Sequence, residues 1–246
     1  MSGHSKWATI KHKKGAADAK RGQMFTKLIK EISIAARMGG GDPEGNPRLR
    51  TAVLKARGAN MPKDNIDRAI KKGTGELEGV NYEELTYEAY APGGVAVLIE
   101  VLTDNKNRAA ADVRNILTRS GGNLATAGAV SRLFKRQGII TFDGEKYTED
   151  QIMEAALEGG AEDVALSDGI IEVTTAPEDF ESVLNALNEK GLETLNAEIS
   201  MVPEVGVTLD NDATAKILRL IDKLEENDDV QNVYSNIEIP EGFEAE

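Results

Sequence analysis

Apolar positions in this chain change their rhythm near residue 80. Before it they recur every three or four residues. Phe25, Leu28, Ile29, Ile32, Ala35 and Ala36 fall on one side of a helix expected over about 16–38, with Lys20, Lys27, Lys30 and Arg37 opposite. Gly39-Gly40-Gly41 stops it. With no preceding strand and no G-x-x-x-x-G-K-[ST], the triple glycine reads as a helix end, not a phosphate loop. Asn46-Pro47 opens a second helix, with Leu49, Ala52, Val53 and Ala56 inward. Met61-Pro62 breaks it. A third, short helix turns Ile66, Ala69 and Ile70 inward, and Gly73 and Gly75 are expected to end it. The stretch 73–79, GTGELEG, comes after a helix and lacks the dinucleotide-loop spacing, so it reads as a linker.

Beyond residue 80 short apolar runs alternate with helical patterns. YEELTYEAYA and VAVLIEVLTD flank Pro92-Gly93-Gly94, a hairpin signal. Asn105 or Asn107 caps a helix that ends at Gly121-Gly122. LFKRQGIITF is a strand, and Thr148-Glu149-Asp150-Gln151 fits a capping box before a helix to Leu157. Strands near 163–167 and 169–175, a helix ending at Gly191 and a strand near 194–202 complete a β-α-β-β-α-β series, the order of a ferredoxin-like sandwich. A strand at 206–210, a helix from Ala213 to Glu226 and a strand at 230–239 close the chain.

The last β-α-β piece and the first β-β-α piece are each too small to stand alone. Joined, they make one sandwich into which 131–203 is inserted. The predicted fold is therefore α+β. A basic three-helix domain with an N-terminal arm (1–80) precedes two α/β sandwich (ferredoxin-like) domains, one discontinuous (81–130 plus 204–240) and one inserted (131–203). Three consecutive domains are the rival arrangement.

Charge sharpens this division. Residues 1–75 hold 17 Lys/Arg against 6 Asp/Glu, or +11, while 76–246 carry −24. Such asymmetry fits a basic module for a polyanion joined to an acidic body. The alternative is that the halves neutralise each other within the fold. The chain has no cysteine, no apolar run long enough to span a membrane and no apolar core of a secretion signal, so a soluble, cytoplasmic protein is expected.

Chemistry is thinly supplied. The two histidines, His4 and His12, lie in the basic arm, away from any rigid carboxylate set, so no metal site, cofactor or catalytic residue is assigned. Acids such as Asp228-Asp229 read as a solvated helix end. TDNKNR (103–108), at a strand end, is either a ligand address or turn and cap chemistry, and capping is favoured. Nucleic-acid contact is better provided for, since Lys and Arg neutralise phosphates. The candidate contacts are Lys6, Trp7, Lys11, His12, Lys13, Lys14, Lys20, Arg21, Lys27, Lys30, Arg48 and Arg50. Trp7, the only tryptophan, either stacks on a base or anchors the arm. Three successive basic helices that can bury their apolar faces on one another disfavour a membrane surface. No small-molecule substrate is expected.

GHSKW (3–7), KHKK (11–14), DAKRG (18–22), FTKLIKEI (25–32), NPRLR (46–50), NMPKDNIDRAIKKG (60–73), YEAYAPGGVAV (87–97), TDNKNR (103–108), GGNL (121–124), GAEDV (160–164) and DDVQNVY (228–234) together resemble the YebC/PmpR family over nearly the whole chain. The resemblance implies a bacterial cytoplasmic protein, or an organellar relative such as the mitochondrial translational activator of cytochrome c oxidase. It implies three domains, one of them inserted, and no enzymatic activity. Many members are called regulators that bind promoter DNA. Others resemble translation factors that bind the ribosome and its RNA and help it through proline-rich stretches. Two positions depart from the family pattern: Ala125 stands where glycine is usual, and Arg132 where an aromatic is common. The reading is thus a non-enzymatic, nucleic-acid-binding regulator of gene expression. A DNA-binding transcriptional regulator comes first and a ribosome-associated factor second, with a protein-interaction scaffold as the alternative of another class. No helix-turn-helix is evident in the sequence.

Overall fold

The computed structural model describes residues 19–240 and 243, with side chains from residue 22 onward. Three helices open it: α1 (Ala19–Gly39), α2 (Pro47–Gly58) and α3 (Lys63–Thr74). Asn46 caps α2, its Oδ1 accepting from the Leu49 N–H at 3.1 Å, with Pro at the first helical position. Ile32, Ala35, Leu49, Ala52, Val53, Ala56, Ile66 and Ala69 form one apolar cluster between the three helices. Gly73 does not end α3. It lies inside the helix, where a Cβ would stand 2.3 Å from the Ser33 carbonyl oxygen of α1, so its hydrogen is what lets the two helices cross this closely. Gly75, at φ +84°, is the left-handed stop.

Strands β1 (Glu83–Ala91), β2 (Val95–Thr103), β3 (Asn123–Leu124) and β9 (Val230–Ser235) make the first sheet, antiparallel throughout in the order β3-β1-β2-β9. Strand β2 reads VAVLIEVLT because both its faces are covered. Val95, Val97, Ile99 and Val101 pack under α4 (Lys106–Arg119) and α7 (Asn211–Glu225), while Ala96 and Leu98 meet Val130, Phe134 and Tyr234 on the other side. The expected strand at 206–210 is only Val207–Thr208 (β8), paired in parallel with Ile237–Glu238 (β10). Strands β4 (Phe134–Asp143), β5 (Asp163–Ser167), β6 (Ile170–Thr175) and β7 (Asn196–Pro203) make the second sheet, all antiparallel in the order β5-β6-β4-β7. With α5 (Glu149–Gly159) and α6 (Phe180–Glu189) on one face, this is a ferredoxin-like sandwich. The Thr148 capping box is formed in full.

The fold is thus mixed α+β. Each of three apolar clusters stays within one unit: the helical module, the first sheet with α4 and α7, or the second sheet with α5 and α6. The fourth joins the two sheets. None of the four joins α1–α3 to the sheets, and the contacts between the described part of the helical module and the body include several hydrogen bonds and ion pairs.

Candidate nucleic-acid interface

Charge at the interface between α1 and the body is arranged residue by residue. Lys30 sits on α1 and is 7% exposed. Its ammonium donates to the Asp229 carboxylate at 2.8 Å, to the Asp228 carbonyl at 2.8 Å and to the Leu102 carbonyl at 3.3 Å. It also lies 5.6 Å from the centre of the Tyr82 ring. The Asp229 carboxylate, on a residue 4% exposed, accepts Arg108 as well, with Nη2 at 2.8 Å and Nε at 3.1 Å. Burial pushes the Asp229 pKa up. The hydrogen bonds from Lys30 and Arg108 more than offset that and hold it below the usual carboxylate range. Arg108 in turn reaches Asp104 at 2.6 Å, and Asn105 Oδ1 caps α4 by accepting from the Arg108 N–H at 3.0 Å. The TDNKNR stretch is therefore turn, cap and ion-pair chemistry. Asp229 is not a solvated helix end but the buried centre of a four-residue charge network.

Two further contacts exploit a helix terminus. Lys27 donates to the Glu225 carbonyl at 2.6 Å, and Gln23 donates to the Glu226 carbonyl. Both carbonyls lie at the C-terminal end of α7, where unpaired oxygens and the helix dipole favour cations. Arg48 clamps Glu31 through Nε at 2.7 Å and Nη2 at 3.1 Å and also meets Glu84. Arg50 pairs with Glu181 on α6 at 3.1 Å.

The candidate contacts therefore divide. Lys6, Trp7, Lys11, His12, Lys13 and Lys14 lie outside the described residues, as do the side chains of Lys20 and Arg21. Lys27, Lys30, Arg48 and Arg50 are described, and all four are engaged inside the protein. The expectation that Lys30 faces an outside anion is corrected. Helix α1 is covered on two sides, by α2 and α3 through its apolar stripe and by the body through its polar one.

A different set of cations is open. Arg37, Lys55, Arg57, Lys63, Arg68, Lys71 and Lys72 are exposed, and none forms an ion pair with another described residue. The acids interspersed among them on α3 are Asp64 and Asp67. Arg37 and Lys72 border a cleft of about 250 Å³ at the C-terminal ends of α1 and α3, lined also by Ser33, Thr74, Asn81 and Tyr82. Four of them, Lys63, Arg68, Lys71 and Lys72, form the outer face of α3, opposite Ile66 and Ala69, a placement that the helical period of the sequence already shows. Among the described residues no group of three or more His, Cys, Asp or Glu converges as metal ligands, and no helix is long and apolar enough to cross a membrane.

The molecule is a basic helical module fastened by charge to an acidic two-sheet body. Residues 5–76 match the TACO1/YebC protein N-terminal domain, and 82–237 match the TACO1/YebC second and third domain, so the chain belongs to the TACO1/YebC family. A protein of Treponema denticola is 73% identical over 99% of both chains, and one of Treponema pallidum is 67% identical over 98% of both. Each is called a probable transcriptional regulatory protein. The crystal structure of a conserved hypothetical protein from Aquifex aeolicus superposes with a TM-score of 0.82 at 48% identity, covering 91% of this chain and 93% of that one.

Proposed function

We propose that the protein is a non-enzymatic transcriptional regulator that binds DNA through its basic helical module. One observation carries this reading. The segment 1–75 holds +11 against −24 in the remainder, and it keeps seven exposed cations, Arg37 at the end of α1 and six on α2 and α3, that form no ion pair with another described residue. Lys and Arg there would neutralise phosphates and release counterions. The names of the Treponema relatives agree with a role in transcription. Four residues, 59–62, join α2 to α3, the length of turn used by helix-turn-helix modules, and α3 presents Lys63, Asp64, Asp67, Arg68, Lys71 and Lys72 outward. Phosphate contacts position a duplex and base-edge contacts specify its sequence, so α3 is where specificity would reside.

Titration of a labelled duplex across a salt series tests the proposal, with a structured ribosomal RNA fragment as the competing ligand. Neutralising about five phosphates gives a log–log slope near −4.5 on duplex DNA. Reversing Lys11, Lys13 and Lys14 to Glu, or Lys55, Lys71 and Lys72 to Glu, should weaken binding to all sequences and flatten the slope. Unchanged affinity in both triple variants, or tight binding to the RNA with none to the duplex, would refute it.

A further inference from the structure

The acidic body contains one stretch that breaks its own rule. Between Asp112 and Asp143 lie thirty consecutive residues without a single acid and with five cations, Arg114, Arg119, Arg132, Lys135 and Arg136, in a segment (76–246) whose net charge is −24. All five are exposed, and none forms an ion pair with another described residue. The stretch does not unfold into solvent. From Asn123 it runs along the edge of β1, pairing Asn123 with Tyr90 and Leu124 with Ala89. The Ala125 N–H then donates to the Glu88 carbonyl at 2.7 Å.

Glu88 also fixes the loop at 126–131. It is 7% exposed, and its carboxylate accepts the backbone N–H groups of Gly128 at 2.7 Å, Val130 at 2.5 Å and Ser131 at 2.9 Å. This buried acid therefore spends its charge on the loop's own backbone. Tyr90 Oη donates to the Ala129 carbonyl at 3.3 Å, and Val130 and Phe134 are buried in the cluster that joins the two sheets. The result is a rigid ledge. Its tip, 126–128, is exposed and built of Thr, Ala and Gly, and a Cβ added at Gly128 would meet nothing within 4 Å. Arg119 stands before the ledge in the chain, and Arg132 and Lys135 come directly after it.

We propose that this ledge is a second phosphate-backbone contact for the duplex DNA held by the helical module; the proposal rests on the reading given under Proposed function. A polymer of phosphates would be repelled by most of the body and admitted along this strip. Small side chains at the tip let a phosphodiester chain approach the flanking cations without steric obstruction. Two contacts on one chain raise effective concentration, so the ledge strengthens binding beyond what the helices supply. Arg136 lies close enough to Tyr234 to oppose the effect of Glu100 and Glu198 on its hydroxyl, so it is left out of the test set.

The test uses the full chain carrying Arg119→Ala, Arg132→Ala and Lys135→Ala, with a short mixed-sequence duplex as probe and a single-stranded RNA of equal length as the second arm. Binding should weaken at least tenfold on the duplex. The salt slope should flatten by about 2.7, three phosphates at about 0.9 each. The parent, photocrosslinked to a bromodeoxyuridine-substituted duplex, should carry the label on the tryptic peptide 120–132, a readout that survives even if the triple variant fails to fold. A parent that binds the duplex, with a folded variant of equal affinity and slope and no label on 120–132, overturns the ledge and leaves the helical module standing. A variant impaired on RNA alone also overturns it. A parent that binds no nucleic acid removes the reading of the helical module first, and the ledge with it.

Discussion

Removing the Asp229 carboxylate should release the helical module before the body melts. In Asp229→Ala, Arg108 keeps Asp104 and stays half in water, so little is lost on that side. Lys30 keeps two carbonyls but has no counter-charge at 7% exposure. Stranding a buried charge costs about 3–5 kcal/mol, and the surviving carbonyls place this case near the lower end, about 3 kcal/mol. For a chain of 246 residues that is about 6–12 °C in melting temperature if unfolding is cooperative. Lys30→Met removes the ammonium instead and leaves Asp229 bound to Arg108 through both carboxylate oxygens. It should cost less, about 1.5–3 kcal/mol for a charged hydrogen bond. The double variant should then be more stable than the sum of the single losses predicts, because no stranded ammonium remains.

The assay pairs a thermal melt with cleavage by a Glu-specific protease. The connector between α3 and β1 is exposed over 75–81 and offers Glu76 and Glu78, and among the described residues no apolar cluster ties α1–α3 to the sheets. A loosened module should therefore be cut there at temperatures where the body is intact. The pH dependence has a definite sign. The folded pKa of Asp229 is depressed, so its contribution is fully present above the ordinary carboxylate pKa of about 4 and is lost as pH falls below it. Melting temperatures of both single variants within about 1 °C of the parent, with unchanged cleavage at Glu76 and Glu78, would show that the network contributes nothing to docking.

Glu88→Ala should leave the Val130 and Ser131 N–H groups without a partner and cost about 2–4 kcal/mol, read by denaturant unfolding. Burial raises the Glu88 pKa, but the three backbone donors outweigh it and hold it low, so Glu88→Gln should lessen the parent's loss of stability as pH drops below about 4. Gly73→Ala should lower stability by about 1–3 kcal/mol in a melt, since the new methyl meets the Ser33 carbonyl at 2.3 Å. Trp7→Ala should cost about 1–3 kcal/mol of nucleic-acid affinity if the indole stacks on a base, and fold stability instead if it is an anchor; its fluorescence reports directly, as the chain has one tryptophan. Excising 131–203 with a short linker should leave a cooperatively folding sheet with α4 and α7. Phe134 pairs with Pro203 and the Glu204 N–H meets the Leu133 carbonyl at 2.9 Å, so the cut ends are adjacent; an aggregated product from several linker lengths would count against it.

Local grammar was legible because its causes are local. Asn46, Asn105 and Thr148 cap the helices that begin after them, each through a partner three residues away. The two-faced run of β2 and the β-α-β-β-α-β order were equally plain, since burial leaves its period in the residues. The charge network was not legible. Lys30 and Asp229 are 199 positions apart, and nothing near either marks it as buried. Lys30 looked solvent-facing because a helical wheel shows only one apolar stripe, whereas a polar stripe can be buried against carbonyls and a carboxylate. Gly73 looked like a stop because a helix-end glycine and a helix-crossing glycine read the same until the second helix is in place.

That hidden pairing changes what the charge split means. One set of cations carries out the neutralisation alternative, and a different set is left open for the polyanion that the proposed function requires. Lys27, Lys30, Arg48 and Arg50 meet acids or carbonyls and orient the module. Arg37, Lys55, Arg57, Lys63, Arg68, Lys71 and Lys72 are exposed and take no part in those contacts. Docking by charge has a consequence that docking by apolar burial would not. Its strength falls with salt as surface electrostatics do, though the buried Lys30 pair is screened less than Arg50 with Glu181. Arg50 is thus the cation an incoming phosphate can most readily take from the body, while Lys30 keeps the module in place. The two roles are separable by substitution: Glu181→Gln should free Arg50 and strengthen binding to a polyanion, whereas Asp229→Ala should loosen the module.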